Sequence, residues 1–353
     1  MAPEGHVHFY LGSDLDSSSV LDWDPDADPQ RFASGLGHNF LELFVRLHHQ
    51  GRPVSLGSTV PDQTRVIVVF PNHEIWNTGS YWRLGLAAKR HRCVMIRSDL
   101  HRRFGRIVAN SLQVVANPLL VERGSGRRRV FLLPLPQRGL KARVDHAAGG
   151  ALVMTYKGNP ENIPDYLKEQ WFLSALTDLN VLLSLDVPSR MDGSDQDWHD
   201  FSDADLALLD RHDGVYSRTL HKPPTKLINA WHADVIPVYA PEPAYSCMTK
   251  PGHDSLPFDG PHDLLETLAR LRREPELLST LRAGVRQRRL DLPTTAQTVD
   301  SYWAVMQSQL APPSDLRALS AIVQLVPLLI YVRVLRVLKR LRRTLRNVRE
   351  RQS

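Results

Sequence analysis

Short apolar runs alternate with helical segments along the chain, and this alternation constrains the fold more than any other feature of the sequence. Strands that are buried on both faces read as continuous apolar runs, and strands that alternate with helices form parallel sheets. The pattern therefore predicts an α/β fold whose parallel sheet is covered by helices on both faces. In the first part of the chain the runs are HVHFYLG (6–12), RVIVVF (65–70), RCVMI (92–96), LQVVA (112–116) and RRVFLL (128–133).

Two helices are predicted between these strands. Apolar residues from Phe40 to Leu47 recur at helical spacing, and Gly51 follows them as a stop signal. The segment SYWRLGLAAKRH (80–91) has a similar composition and also reads as a helix.

The same pattern starts again after residue 150. Residues 134–149 combine prolines, glycines and charges without periodicity, which is typical of a linker. We therefore predict two Rossmann-like domains in tandem, at residues 1–140 and 141–310. The second domain would contain strands at ALVMTY (151–156), NVLLSL (180–185), ADLALLD (204–210) and VIPVYA (235–240), and helices at 165–179, 223–232, 263–273 and 275–289.

The cysteines and the N-terminal residues indicate in which cellular compartment the protein is expected. The 353-residue chain has two cysteines, Cys93 and Cys247, far apart in sequence, which argues against a disulfide scaffold and favours reducing conditions. The first residues do not combine a basic segment with an apolar run, as a secretory signal does. We expect a cytoplasmic protein.

The net charge of +6 is concentrated at one end of the chain. From Arg333 to Ser353 there are nine arginines or lysines and one glutamate, so this segment carries +8 and the other residues together carry −2. A protein that grips nucleic acid more often has its positive charge on the folded surface. We therefore expect no nucleic-acid partner.

Residues 311–353 form a candidate membrane-associating tail. LSAIVQLVPLLIYV (319–332) has fourteen uncharged residues, fewer than the ~20 that span a bilayer. The basic segment that follows repeats apolar residues every three or four positions, which predicts a basic amphipathic helix on the anionic inner face of the membrane. The same spacing is also a heptad seam, so a short coiled coil is the alternative.

Residues 222–232 predict an anion site at a helix N-terminus. Pro223 and Pro224 suit the first helical turn, because their missing N–H groups would be unpaired there anyway. The next N–H groups and the helix dipole attract anions. The hydroxyl of Thr225 and the ammonium group of Lys222 or Lys226 would complete a diphosphate cradle. The simpler interpretation is a proline-capped helix without a ligand.

Two further segments are predicted at the carboxyl ends of strands, where open α/β sheets bind ligands. Glu242 begins a helix after VIPVYA, and its carboxylate could accept hydrogen bonds from neighbouring hydroxyls. Tyr156, Lys157 and Gly158 follow the first strand of the second half, where the lysine could neutralise phosphate and the glycine could admit it. An ordinary strand-to-loop turn would explain that second segment as well.

The sequence KPPTKLINAWHADVIPVYAPEPAY (222–245) resembles the donor-site segment of GT-B-fold glycosyltransferases, especially the bacterial group 1 and group 4-like enzymes. That family commonly shows Pro-x-Lys-[Leu/Tyr]-x-Glu, an Ala-x-Gly turn, Pro-Val-[Ile/Val] and a later acidic residue. The segments VVANP, LPLPQRGL, VMTYKGNPENIP and WHDFSDADLALLDR also occur in the expected order within about residues 110–290. The resemblance implies two Rossmann-like domains in the GT-B architecture and metal-independent binding of a nucleotide sugar between them, with no other cofactor.

Two residues depart from that family pattern. Asn229 stands where the family usually has a ribose-binding glutamate, and Asp234 stands where it usually has the turn glycine. Asparagine can still bond hydroxyls, and aspartate tolerates left-handed backbone better than most residues. The departures leave open a non-catalytic binding or scaffold protein with the same fold.

The candidates for a catalytic base lie at the predicted cleft edge of the first half, after strands or, for His38, at the start of a helix that follows GLG. An inverting transferase needs a carboxylate or imidazole there to deprotonate the acceptor hydroxyl, whereas a retaining one need not show it. Asp14 and His38 are the candidates that we single out, and Asp16, His73 and Glu74 occupy comparable places.

Aspartate pairs open a metal-dependent alternative. Asp-x-Asp occurs at 14–16, 24–26, 195–197 and 203–205, and each pair matches the metal-binding signature of the other glycosyltransferase fold. Four matches in one chain show how unspecific the pattern is. The favoured prediction remains a metal-independent glycosyltransferase that moves a sugar from a nucleotide sugar to a lipid-linked or cell-surface polysaccharide acceptor.

Overall fold

The protein consists of two parallel β-sheets with helices around them. The structure is a computed structural model of the chain and describes residues 5–11, 17–32, 34–70, 84, 91–97, 111–122, 128–145, 150–187, 198–211 and 222–310. Every strand pair within the two sheets runs parallel, as the apolar runs predicted.

The first sheet has six strands in the order β2-β1-β3-β4-β5-β6. All five predicted apolar runs form strands in it. The additional strand, β2, was not predicted. Its sequence, VSLG, is too short to form an apolar run, and only one of its residues is buried. The strands are β1 (His6–Tyr10), β2 (Val54–Gly57), β3 (Thr64–Val69), β4 (Arg92–Arg97), β5 (Leu112–Val115) and β6 (Arg129–Phe131).

The helices of the first half are short. They are α1 (Ser17–Leu21), α2 (Glu42–His49) and α3 (Leu119–Glu122), with a 3₁₀ turn at Pro29–Phe32. A π-helical turn, Gly37–Leu41, leads into α2, and its last hydrogen bond runs from the Glu42 N–H to the Gly37 carbonyl. The predicted helix over residues 40–47 is confirmed, and Gly51 follows it with φ of 71°. The predicted helix at 80–91 lies almost entirely outside the described residues.

The second sheet has five strands in the order β11-β10-β9-β7-β8. Its predicted strands and helices are confirmed, whereas β11, with two residues, gave no sequence signal. The strands are β7 (Leu152–Lys157), β8 (Val181–Asp186), β9 (Leu206–Leu209), β10 (Ile236–Tyr239) and β11 (Leu256–Pro257). The helices are α4 (Gln170–Asp178), α5 (Thr225–His232), α6 (Pro243–Met248), α7 (Gly260–Arg273) and α8 (Pro275–Asp291).

Both halves order their strands in the same way. In each sheet the first strand lies between the second and the third, and the later strands follow outward. An open parallel sheet of this kind binds ligands beside the carboxyl ends of its first and third strands, where the connections diverge. The expected positions are thus the ends of β1 and β3 in one half, and of β7 and β9 in the other.

The last described helix, α9 (Thr295–Gln307), packs on the first half although it follows the second in sequence. Val299, Tyr302, Trp303 and Met306 lie in the hydrophobic core of the first sheet. Their spacing places them on one face of the helix. The predicted boundaries at residues 140 and 310 stay predictions, but the range 141–310 includes a helix that belongs by packing to the first core.

In the described part of the chain, no helix combines the length and apolar character needed to cross a membrane. The predicted tail at 311–353 lies outside the described residues.

Candidate functional site

A cavity of about 710 Å³ lies at the carboxyl ends of β7 and β9 and is lined from both halves. We call it the cleft. The first half contributes Ser34, Gly35 and His38, and the segment between the sheets contributes Gln137 and Arg138. The second half contributes Thr155, Lys157, Gly158, Asn159, Asn162, Trp198, Phe201, Ala207, Leu208, Leu209, Arg211, Thr225, Lys226 and Asn229.

Three of the predicted donor-site residues lie together: Gly158 and Lys226 line the cleft, and Tyr156 is buried beside them. The ammonium nitrogen of Lys226 lies 4.6 Å from the ring centroid of Tyr156. A Cβ atom on Gly158 would lie 3.1 Å from that nitrogen and 2.9 Å from the Tyr156 hydroxyl, so glycine lets the β7 loop approach both groups. The three residues come from two segments that the sequence placed at the site independently.

The electrostatics around Lys226 favour its neutral form. Burial lowers the pKa of Lys226 to about 7, and the nearby cation Arg211 adds to the effect. Glu242 and Asp210 act in the opposite direction, and Lys222 acts in the same direction as Arg211. A bound anion would supply the countercharge that this ammonium group lacks.

The predicted helix is present but begins two residues later than predicted, so Pro223 and Pro224 precede it instead of forming its first turn. Helix α5 begins at Thr225, directly after Pro224, and no side chain caps its N-terminus. Thr225 lines the cleft together with Lys226. Lys222 does not line it and acts on Lys226 and Glu242 only through its charge.

Glu242 is the N-cap residue of α6, at the helix start that the sequence predicted, and its side chain is buried. One carboxylate oxygen accepts a hydrogen bond of 2.8 Å from the Arg211 guanidinium. The other oxygen, Oε2, is buried and has no hydrogen-bond partner among the described residues. Burial raises the pKa of Glu242, although Arg211 opposes this effect. The carboxylate thus keeps one unpaired oxygen, although Glu242 itself does not line the cleft.

Sequence reasoning missed Arg211, which links these groups. It lies two residues after the end of β9 and lines the cleft. The neighbouring Asp210 accepts hydrogen bonds from the Arg211 backbone N–H and from the Tyr166 hydroxyl, both at 2.7 Å. Burial raises the pKa of Asp210. The position of Arg211 just after an apolar run was the sequence signal that could have identified it as a site residue.

Lys157 lines the cleft with its charge already paired. Its ammonium nitrogen lies 2.9 Å from the Asp186 carboxylate and 4.9 Å from the ring centroid of Phe201. Trp198 donates to the backbone carbonyl of Asp186 at 3.3 Å. A phosphate at Lys157 would therefore compete with an existing ion pair.

The two departures from the family pattern have separate roles. The Asn229 side-chain oxygen accepts a 2.9 Å hydrogen bond from the backbone N–H of Gln137, so the amide fixes the segment between the sheets. Asp234 adopts φ of 60° in the turn after α5, which is the left-handed conformation expected at that position.

The first half contributes one of the predicted base candidates to the cleft. His38 lies in the π-helical turn before α2, where its Nδ1 atom is 2.8 Å from Arg138 Nη1 and 3.3 Å from Glu42 Oε2. Its Nε2 atom is buried and has no hydrogen-bond partner in the described part of the chain. The other candidates, Asp14, Asp16, His73 and Glu74, lie outside the described residues.

The described aspartate pairs have other partners. Asp205 accepts hydrogen bonds from the Val153 backbone and from two arginines, Arg143 and Arg282, at 2.9 to 3.3 Å. Asp26 forms a two-pronged ion pair with Arg46. The pairs at 14–16 and 195–197 lie in undescribed segments. Within the described ranges, no three His, Cys, Asp or Glu side chains are grouped to hold a metal ion.

Comparison with known proteins identifies the fold. The sequence matches no protein-family model and no curated protein. Among solved structures, sucrose-phosphate synthase of Thermosynechococcus elongatus superposes with a TM-score of 0.56 at 10% identity, over 88% of this chain and 100% of that one. HepE of Anabaena in complex with UDP and glucose gives 0.51 at 12% identity, over 86% and 100%.

A glycosyltransferase of Rickettsia africae gives a TM-score of 0.50 at 6% identity, over 88% of this chain and 100% of that chain. At these identities the similarity concerns the fold. The chain has the GT-B glycosyltransferase fold that its donor-site segment and its tandem strand pattern predicted.

Proposed function

We propose that the protein is a metal-independent glycosyltransferase that uses a nucleotide-diphosphate sugar as donor. The observation that carries the proposal is the position of Lys226, a largely buried ammonium group beside Gly158 and the N-terminus of α5, in a cleft at the carboxyl ends of β7 and β9. Free helix N–H groups and a lysine suit a diphosphate. The HepE structure with the same fold contains UDP and glucose, which makes UDP the first probe to test.

The reaction would break the bond between the anomeric carbon and the diphosphate oxygen, and would join that carbon to an acceptor hydroxyl oxygen, whose proton passes to the departing diphosphate. Negative charge then develops on the departing diphosphate. Lys226 and the N-terminus of α5 would stabilise that charge, because both are held in place before the reaction. The buried, unpaired Oε2 atom of Glu242 would accept a hydrogen bond from a donor hydroxyl that reaches it.

The acceptor in this proposal is a lipid-linked or cell-surface glycan reached at the inner face of a membrane. The support is the sequence of the tail, in which a short apolar stretch precedes a +8 segment. Such a segment binds anionic headgroups while its apolar residues enter the interface.

Calorimetry tests the donor site and separates the alternatives. We expect one nucleoside diphosphate of a panel that includes UDP to bind in the presence of chelator, and its sugar derivative to be hydrolysed slowly. No binding by any member of the panel would contradict the proposal. Binding without hydrolysis or transfer would favour a non-catalytic binding protein, and activity that requires added manganese would favour a metal-dependent transferase.

A further inference from the structure

The contact between His38 and Arg138 determines which ring nitrogen of His38 carries the proton. Arg138 Nη1 lies 2.8 Å from His38 Nδ1, which is hydrogen-bond distance. A guanidinium group is always protonated and can only donate. His38 Nδ1 must therefore accept, and in the neutral ring the proton lies on Nε2.

Glu42 could instead accept a hydrogen bond from a protonated Nδ1 of His38, but the geometry favours this tautomer less. Its Oε2 atom lies 3.3 Å from His38 Nδ1, and the same oxygen already accepts from Arg138 Nη1 at 3.2 Å. The shorter contact to His38 is the one from Arg138. A proton on Nδ1 would point at a guanidinium N–H group, which cannot accept it.

Arg138 is held firmly in this position. Its Nε–H donates to the Pro29 carbonyl at 3.1 Å, and its guanidinium lies 5.6 Å from the Phe32 ring centroid. The side chain is 1% exposed. The preceding residue, Gln137, is tied through its backbone N–H to Asn229 in the second half. The Arg138 side chain that contacts His38 is therefore buried and held in place by several contacts.

The Nε2 atom of His38 is the remaining hydrogen-bonding group of the ring. It is buried, has no partner among the described residues, and belongs to a side chain that lines the cleft. A buried donor without a partner is unfavourable, because it has lost its hydrogen bond to water and gained none in the protein. A ligand oxygen in the cleft would remove that cost, whereas a ligand N–H group would not.

We propose that Arg138 fixes His38 as an Nε2–H donor to an oxygen of the bound nucleotide sugar, so that His38 binds the donor substrate instead of deprotonating the acceptor. The oxygen belongs either to the diphosphate or to a sugar hydroxyl. The ligand part of this inference depends on the proposed function, whereas the tautomer does not. Arg138 is a positioning residue, and His38 is excluded as a general base through Nε2 because that atom holds no free lone pair.

Nuclear magnetic resonance of the full-length protein labelled with ¹⁵N-histidine tests the tautomer directly. The signals of His38 are assigned by their loss in His38→Gln. We expect Nδ1 to show the shift of an unprotonated nitrogen and Nε2 that of a protonated one. Arg138→Met should shift the ring toward the Nδ1–H form that bonds Glu42, and Arg138→Lys, which keeps a donor, should restore the original form. A protonated Nδ1 in the unmodified neutral ring would overturn the proposal.

Calorimetry with UDP and UDP-glucose tests the ligand contact. A glutamine side chain also carries an N–H donor, so we expect His38→Gln to retain affinity within about 3-fold, whereas His38→Ala loses about 10-fold or more. A loss for both probes assigns the contact to the diphosphate, and a loss for UDP-glucose alone assigns it to a sugar hydroxyl. Equal affinities of the two variants would overturn the inference.

The two experiments separate failure of the proposed function from failure of the tautomer assignment. If the unmodified protein binds neither probe, the titrations are repeated with the other nucleoside diphosphates of the panel. If none of them binds, the proposed donor and the ligand contact of His38 are both wrong, and the resonance experiment still decides the role of Arg138. Thermal unfolding of each variant checks that a lost affinity does not come from unfolding.

Discussion

The surroundings of Lys226 favour the binding of an anion to its ammonium group. Its ammonium group is flanked by a tyrosine ring and a glycine, and no described carboxylate lies within ion-pair distance of it. The group is therefore kept close to the boundary between its charged and neutral forms. A bound diphosphate raises the pKa of Lys226 and so favours its charged form.

Replacement of Lys226 tests its contribution to affinity. Lys226→Ala should weaken the binding of UDP by about 1.5–3 kcal/mol, the range for a hydrogen bond to a charged group. The exposed lysine Lys250 offers a matched control, and Lys250→Ala should leave the affinity unchanged. Unchanged affinity of a folded Lys226→Ala protein in calorimetry would remove Lys226 from the site.

The lowered pKa of Lys226, about 7, predicts proton uptake on binding. At pH 6.5 most of the lysine is already charged, and at pH 8 most of it is neutral. Because a bound diphosphate raises the pKa again, proton uptake should increase between pH 6.5 and pH 8. Calorimetry in buffers of different ionisation enthalpy measures the uptake. Uptake that persists in Lys226→Ala would assign it to another group.

A second titrating residue, His8, affects stability away from the cleft. His8 is buried in β1, where its ring nitrogens bond Ser55 Oγ and the Gly57 carbonyl at 2.8 and 3.0 Å. Burial lowers the pKa of His8 to about 4, although the Gly57 carbonyl opposes this effect. The unfolded chain, with a histidine pKa near 6.5, therefore binds the proton more readily.

Folding stability should accordingly fall as the pH is lowered from about 6.5 to 4. The full effect of His8 is on the order of 3 kcal/mol, and it is absent above pH 7. Urea unfolding at pH 7 and pH 4.5 measures it. His8→Gln should be less stable at pH 7 but less sensitive to acid. An equal acid sensitivity of the two proteins would show that other groups dominate.

The identity of the site residues was predictable only where they follow a recognisable element. Lys226 and Glu242 begin helices, and Gly158 follows a strand, so their place at the sheet edge could be read from the sequence. The partners of His38 could not, because Arg138 lies 100 residues away and the contact depends on the packing of a segment without periodicity. The π-helical turn that contains His38 could not be predicted from the sequence either.

At the scale of elements, the apolar runs predicted the strands correctly. Strands β9 and β10 are buried throughout, as continuous apolar runs suggest, whereas β8 is apolar but largely exposed. Helix α9 was not predicted, although it begins with a capping box in which Thr294 and Gln297 bond each other's backbone. Its apolar face is interrupted by polar residues such as Thr298, which weakens the periodic signal. The helix becomes evident only when the core that it completes is known.

Helix α8 depends on a close approach that only glycine permits. A Cβ atom on Gly284 would lie 1.9 Å from the His253 carbonyl oxygen. Alanine in a helix is normally about 1 kcal/mol more favourable than glycine, but overpacking costs about 1–3 kcal/mol.

We therefore expect Gly284→Ala to destabilise the protein in spite of its better helix propensity. Ser279→Ala, on an exposed face of the same helix, should be neutral or slightly stabilising and serves as the control. Chemical unfolding measures both variants. A gain in stability for Gly284→Ala would mean that the helix lies further from His253.

At the scale of the whole molecule, the cleft requires both halves in one arrangement. Arg138 bonds groups of the first half, while the adjacent Gln137 bonds Asn229 of the second. Helix α9 makes a further connection, because it returns to the first core after the second half is complete. The tandem layout was predictable from the repeated strand pattern, whereas these cross-connections were not.

The tail provides a prediction about the whole chain. The intact protein should sediment with anionic vesicles at low salt, less with neutral ones, and be only partly released by high salt, since each basic residue near the surface contributes about 1 kcal/mol that salt screens. A chain that ends at Pro313 retains α9 and should bind UDP without binding vesicles. Equal vesicle binding by both chains would exclude the tail as the anchor, and self-association of the intact chain without vesicle binding would favour the coiled coil.

The return of α9 also sets an order for folding during synthesis. The core of the second half draws on residues between Leu152 and Val285, so it is complete as soon as α8 has left the ribosome. The core of the first half includes Met306 and has to wait longer, although its strands are made first. We therefore expect the half that is translated second to become protease-resistant first on stalled ribosomes, and the nascent first half to need protection from aggregation until α9 arrives.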